Sequence, residues 1–260
     1  MNALLETRDL AKGFGAITAA AEINVVINAA EIVGVIGSNG AGKTTFINMV
    51  TGYLPPSSGE ILFQGKSIVG KKPRQVMHAG ISRSFQVAQL FPELTMLDNV
   101  LIAHGMVADG QLSLWRPLKT PQGVDQAKAL LADYDISEYI DEKVAVLPQG
   151  VRKLLDIALA MLGEPKVLLL DEPTSGVAIE DKFELMDTVM GALRKSGAAV
   201  LFVEHDMEVI ARYSTRLLAF YDGRVLADGP THEVMANSKV QELVIGNHLE
   251  IKKPKELAHA

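Results

Sequence analysis

One stretch limits what this chain can fold into more than any other. Gly37-Ser38-Asn39-Gly40-Ala41-Gly42-Lys43-Thr44 fits the pattern GxxxxGK[ST] at every fixed position. The apolar run Glu31–Ile36 before it reads as a buried strand, and Thr45–Val50 after it as the first turns of a helix. A strand, a glycine-rich loop and a helix N-terminus together aim backbone N–H groups at one point, which suits a phosphate. The spacing puts the Lys43 ammonium in reach of β- and γ-phosphates and the Thr44 hydroxyl in reach of Mg²⁺. Far downstream, Val167-Leu168-Leu169-Leu170 is an apolar strand that ends in Asp171-Glu172. Paired with the loop, Asp171 is a candidate metal-holding carboxylate. Glu172 is a candidate general base for an attacking water. The expected ligands are ATP and Mg²⁺.

The chain is long enough, at 260 residues, to bury one large α/β core with an inserted subdomain. A formal charge of −6 argues against a broad basic surface, and so against nucleic acid as a partner. With no cysteine there is neither a disulfide framework nor a thiolate metal site. The longest apolar runs, Val167–Leu170 and Ala198–Val203, are strand-sized and fall well short of the roughly 20 residues a membrane helix needs. Met1–Glu6 lacks the basic start and apolar core of a secretion signal. Work at a membrane would therefore require docking to other chains.

Alternation predicts strands over Leu4–Leu10 and Glu22–Ile27, and another over Glu60–Gly65 after the turn Ser57-Ser58-Gly59. Pro73–Ala79 suits a short helix and Gly80–Phe85 a strand. From Thr95 to Glu164 the period becomes helical, with Asp109–Gly123, holding two prolines and two glycines, expected as a loop. Leu130, Leu131 and Tyr134 mark a helix face. Strand and helix then alternate: Lys166–Leu170, Ile179–Lys195, Ala198–Val203 and Asp206–Arg212. A hairpin follows, with strands around Leu217–Tyr221 and Val225–Ala227 joined at Asp222-Gly223. The expected class is α/β, with a core over 1–94 and 165–247, a helical subdomain over 95–164 and a tail over 248–260.

With these motifs in place the chain resembles the ATP-binding subunits of ABC transporters over nearly its whole length. That resemblance implies a P-loop NTPase core with a mixed sheet, an antiparallel β subdomain and an inserted α-helical subdomain. Ser82-Arg83-Ser84-Phe85-Gln86, followed by Leu90-Phe91 and Leu94-Thr95, looks like the family's Q-loop. By that match Gln86 contacts metal and attacking water and connects the core to a transmembrane partner. Val203-Glu204-His205-Asp206-Met207 is similar to the switch-histidine segment, with His205 reaching the γ-phosphate. Phe14, in Lys12-Gly13-Phe14-Gly15, matches the aromatic that stacks on adenine. The phosphate-contacting set implied is Gly37, Ser38, Asn39, Gly40, Ala41, Gly42, Lys43, Thr44 and Thr45, with Gly150 from the signature loop.

The Q-loop wording, the stretch near Trp115-Arg116-Pro117, and Gly223–Pro230 all look like the ATPase of branched-chain amino-acid uptake systems. The implied partners are transmembrane permease subunits, a second ATPase subunit and, indirectly, a periplasmic solute-binding protein. The implied place is the cytoplasmic face of the cell membrane, as a peripheral protein. An exporter ATPase shares this core, and urea and amide importers share much of the wording. A soluble ABC protein of DNA repair or translation would bring two cores or a long coiled coil.

Two segments depart from the family pattern. Where the signature usually reads LSGGQ, this chain has Leu147-Pro148-Gln149-Gly150-Val151. Pro148 supplies neither a hydroxyl nor a backbone N–H. Ser175-Gly176-Val177-Ala178 ends in alanine where the family commonly has aspartate or asparagine. One reading is a tolerated loop variant, with Gly150 and the helix dipole still serving the phosphate. The other is an asymmetric dimer, in which a different subunit supplies the normal signature and this chain's own signature serves a slow or regulatory site.

Overall fold

The computed structural model describes residues 3–84, 90–108 and 118–246. Among the described residues, ten strands fall into two sheets. In chain order they are β1 (Leu5–Phe14), β2 (Ile17–Ile27), β3 (Ile32–Gly37), β4 (Ser58–Phe63) and β5 (Lys66–Ser67). β6 (Ile81–Ser84), β7 (Val167–Asp171), β8 (Ala199–Val203), β9 (Arg216–Tyr221) and β10 (Arg224–Pro230) follow. The larger sheet runs β10-β9-β3-β8-β7-β6, and β6, β7, β8, β3 and β9 are parallel, while β10 is antiparallel to β9. The smaller sheet, β2-β1-β4-β5, is antiparallel.

Among the described residues the α-helices are α1 (Lys43–Val50), α2 (Pro73–Ala79), α3 (Met96–Ala108), α4 (Pro121–Asp133) and α5 (Gln149–Met161), then α6 (Lys182–Ser196), α7 (Met207–Tyr213), α8 (Thr231–Ala236) and α9 (Ser238–Val240). Both faces of the central strands are covered, which is why β7 and β8 are continuous apolar runs rather than alternating ones. Leu168, Leu170, Val200 and Phe202 face one cluster, packed with Leu155 of α5, Met186 and Val189 of α6, and Ile210 of α7. Val167, Leu169, Leu201 and Val203 face the other, packed with Phe46, Ile47 and Val50 of α1 and with Leu5, Leu10, Ile23 and Ile61 of the antiparallel sheet. Each face removes several large side chains from water, worth roughly 1.5–3 kcal/mol apiece. The sheet is thereby rigid enough to hold loops at its C-terminal edge.

Some expectations shift. The second strand begins at Ile17 rather than Glu22 because it continues as a hairpin arm of β1, pairing Ile17 with Phe14. The segment expected as a loop over Asp109–Gly123 is helical from Pro121, because the Thr120 side chain accepts from the Gly123 N–H at 3.1 Å and Pro121 takes the first helical position. Residues 109–117, including Trp115-Arg116-Pro117, lie outside the described residues, as does the tail over 248–260. The helix expected from Ile179 starts at Lys182, after a turn in which Asp181 N–H donates to Ala178 O.

Candidate active site

The phosphate loop leaves the central strand β3 and enters α1 through Gly42, whose φ of 99° lies in the left-handed region. A side chain here would also collide with its surroundings, since a Cβ would meet Ala19 O at 2.8 Å and the Gly223 Cα at 3.1 Å. The β9–β10 hairpin tip grips the loop from that side. Gly223 N–H donates to Ala41 O at 3.1 Å, and Gly223 O accepts from Ala21 N–H at 2.8 Å. Three chain segments thus set the curvature of the loop.

Lys43 is buried and folds its ammonium into the loop, donating to Gly37 O at 2.6 Å and Ser38 O at 3.1 Å. Burial lowers its pKa from the ordinary lysine value, while the charges of Glu172 and Asp171 act in the opposite direction. Asp171 ends β7, and Glu172 follows with φ 50°, a left-handed conformation that costs a non-glycine residue about 1 kcal/mol or more. Glu172 N–H donates to Val203 O at 3.0 Å, which ties the turn to the end of the adjacent strand β8. Two residues past β8, His205 Nε2 lies 3.0 Å from Glu172 Oε1, the tautomer deciding the direction of that bond.

These residues converge. A cleft of about 130 Å³ is lined by Asn39, Gly40, Ala41, Gly42, Lys43, Thr44 and Thr45 on one wall and by Asp171, Glu172, Val203 and His205 on the other. Gly37 and Ser38 contribute their carbonyls to Lys43 and not to the cleft lining. Phe14 stands at the end of β1, 52% exposed, with Lys12 Nζ 5.2 Å from its ring centre, and does not line the cleft. Gln86 lies outside the described residues.

The signature-like segment is on a different surface. Pro148 caps α5 without a side-chain bond, and Gly150 sits in the first turn, away from the cleft lining. Arg152 Nε instead donates back to Leu147 O at 2.8 Å. Gln149 packs over Gly176, where a Cβ would lie 3.4 Å from Gln149 Nε2. The two departures from the family pattern therefore touch each other within the chain.

Sequence reasoning missed the buried polar shell behind the cleft. Glu204 accepts from Thr174 N–H at 2.8 Å, from Thr174 Oγ1 at 2.7 Å and from His205 N–H at 3.2 Å. Burial raises its pKa, and those bonds together with Lys182 only partly oppose the rise. Asp171 Oδ2 accepts from Arg83 Nη2 at 2.5 Å, while Arg83 Nη1 donates to Asn48 Oδ1 at 2.6 Å. An arginine inside a strand covered on both faces was the available signal, because such a charge needs a buried acceptor.

Residues 20–175 match the ABC transporter family. The chain is 32% identical over 254 residues to the probable branched-chain amino acid transport ATP-binding protein LivG of Methanocaldococcus jannaschii, covering 94% of this chain and 97% of that protein. It is likewise 32% identical to the high-affinity branched-chain amino acid transport ATP-binding protein LivG of Escherichia coli K12, over 94% of this chain and 98% of that one. Among solved structures, the ADP conformation of MJ1267, an ATP-binding cassette of an ABC transporter, superposes with a TM-score of 0.83 at 30% identity. That match covers 94% of this chain and 98% of the other. Fold, motif placement and whole-length similarity lead to one assignment: the chain belongs to the ABC transporter family, as an ATP-binding cassette.

Proposed function

We propose that this chain is the ATP-hydrolysing subunit of an importer for branched-chain amino acids or a related small solute. In this reading it is a single ABC ATPase domain, with the core over 1–94 and 165–247 driving the helical subdomain over 95–164. The observation that carries the catalytic part is the contact between His205 and Glu172 at the rim of the phosphate loop. The solute class rests on the two LivG relatives.

Lys43 and the N–H groups of Asn39–Thr45 hold the triphosphate. Asp171 and Thr44 offer hard oxygen donors in one cleft, which fits Mg²⁺. Among the described residues no cluster of three or more His, Cys, Asp or Glu could hold a metal alone, so substrate phosphates and water would have to complete the shell. Bound Mg²⁺ would neutralise charge on the β- and γ-phosphate oxygens. Glu172 accepts a proton from the attacking water. His205 orients Glu172 and donates to the γ-phosphate. Gln86 is assigned to metal and water, Phe14 to adenine and Gly150 to the nucleotide of a facing subunit.

No helix among the described residues is long and apolar enough to cross a membrane. A groove of about 380 Å³ between α2, α3 and α5, lined by Tyr53, Met77, Met106 and Leu159, supports docking of a permease segment. That docking holds the chain at the cytoplasmic face of the membrane. Val146 and Ile179, 70% and 74% exposed beside the signature and the loop after β7, support a facing ATPase subunit, whose closure onto ATP would drive transport.

Deleting the gene from its own cell should abolish ATP-dependent uptake of labelled leucine, isoleucine or valine, with rescue by wild type and not by Glu172→Gln. Undiminished uptake of all three in the deletion strain would refute the importer reading. A second reading is favoured by Pro148 and by the packing of Gln149 on Gly176: a nucleotide-gated partner in an asymmetric dimer, whose own signature supports little hydrolysis.

A further inference from the structure

The buried cation Arg83 borders the groove between α2, α3 and α5, and it also touches the carboxylate assigned to the metal. Strands β6 and β7 are in parallel register, with Arg83 opposite Leu169, so Arg83 shares a face with Leu169 and Asp171. That is the face packed by α1. The Arg83 side chain is 8% exposed and the Asp171 side chain 10%. One arm of the fork reaches Asp171 Oδ2 at 2.5 Å and the other reaches Asn48 Oδ1, on α1, at 2.6 Å.

Asn48 lies one helical turn beyond Thr44 on α1. Arg83 is therefore a bridge between the helix that carries the Thr44 hydroxyl and the strand that carries the Asp171 carboxylate. Taking Oδ2 leaves Oδ1 as the oxygen for the cleft that Asp171 lines. A planar fork can hold two acceptors in fixed directions at once, and a lysine ammonium on a flexible stem cannot.

We propose that Arg83 is a positioning residue that sets the distance and orientation between Asp171 and Thr44, and so tunes how strongly Mg²⁺ tightens nucleotide binding. The proposal rests on the assignment of Asp171 to the metal. Outer partners of metal-holding carboxylates commonly matter by about 10–100-fold in metal affinity.

The test is the affinity of the full chain for a fluorescent ATP analogue, measured in EDTA and in magnesium. Its readout is the ratio of the two dissociation constants. Arg83→Met should reduce that ratio by about 10–100-fold while leaving the affinity in EDTA unchanged. Because removing one partner of a buried pair destabilises the fold, Arg83→Lys and Asn48→Ala carry the same test in milder form. Each should lower the ratio by less than Arg83→Met, with normal binding in EDTA. A wild-type ratio in folded Arg83→Lys and Asn48→Ala would overturn the proposal. So would an equal loss of affinity in both media, which marks a merely structural role. Asp171→Asn separates the two failures: a wild-type ratio in that variant removes the metal assignment itself, whereas a collapsed ratio beside a normal one in the Arg83 variants removes only the bridge.

Discussion

The phosphate cleft and the signature-like face are built in opposite ways. Around the cleft, polar groups are closed off within the chain: Lys43 on Gly37 and Ser38, Asp171 on Arg83, Glu172 near His205, and Glu204 on Thr174. The face at Leu147–Val151 is held more sparsely, by Arg152 Nε on Leu147 O and by Gln149 over Gly176. Its helix start carries no side-chain cap, a Cβ added at Gly150 would meet Leu185 only at 3.9 Å, and Val146 near it is largely exposed. A pre-ordered cleft holds its donors where charge will develop, which is where rigid electrostatics are worth most. Under the proposed function, chemistry belongs to the first region and partner-dependent gating to the second.

The largest expected effect on that contrast comes from the cleft. His205→Ala should lower turnover by about 10²-fold or more with little change in ATP affinity, since it removes one donor and the group beside Glu172. Steady-state phosphate release at saturating ATP measures this, and wild-type turnover would remove His205 from the site. A smaller effect is expected on the open face. Pro148→Ser with Gln149→Gly restores a hydroxyl, a backbone N–H and a free Gly176, and should raise ATPase activity of the chain alone by about tenfold. An unchanged rate, with full activity already present alone, would count against asymmetry between the two sites.

The smallest effect concerns the buried shell. Burial holds the Glu204 carboxyl above its ordinary 4.5, so the folded chain binds that proton more tightly than the unfolded chain does. The associated stability is fully present below the unfolded pKa and is lost as pH rises through the folded one. Glu204→Gln cannot titrate, so the difference in Tm between variant and wild type should drift in the variant's favour from about pH 4.5 upward. Parallel Tm profiles across that window would show that Glu204 is not perturbed in the fold.

The two regions also differ in how far the sequence disclosed them. The phosphate loop is legible because its glycines, Lys43 and Thr44 do their work within eight residues, and local pattern suffices. Asp171 and Glu172 are legible because an uninterrupted apolar strand must end somewhere, and it ends in two carboxylates. Pro73–Ala79 is a helix with the bounds its sequence suggests, punctuated by Pro73 and Gly80. What depends on strand order is not legible. Arg83 meets Asp171 only because β6 lies beside β7, at a separation of 88 positions along the chain, and nothing local announces that neighbour. The start of α4 was obscured for another reason. Pro121 and Gly123, which ordinarily signal loops, serve here as a first helical residue and as the donor to the Thr120 cap. Phe14 is named by a family motif alone, and its ring stands outside the phosphate cleft at the end of β1.

The central claim is that this chain's own cleft performs hydrolysis, with Glu172 as base. The most direct measurement is bound nucleotide and released phosphate in the same reaction, for wild type and Glu172→Gln, with magnesium present. The account predicts equal ATP occupancy and phosphate release lowered by about 10²–10⁴-fold in the variant. Equal occupancy with undiminished release would contradict it.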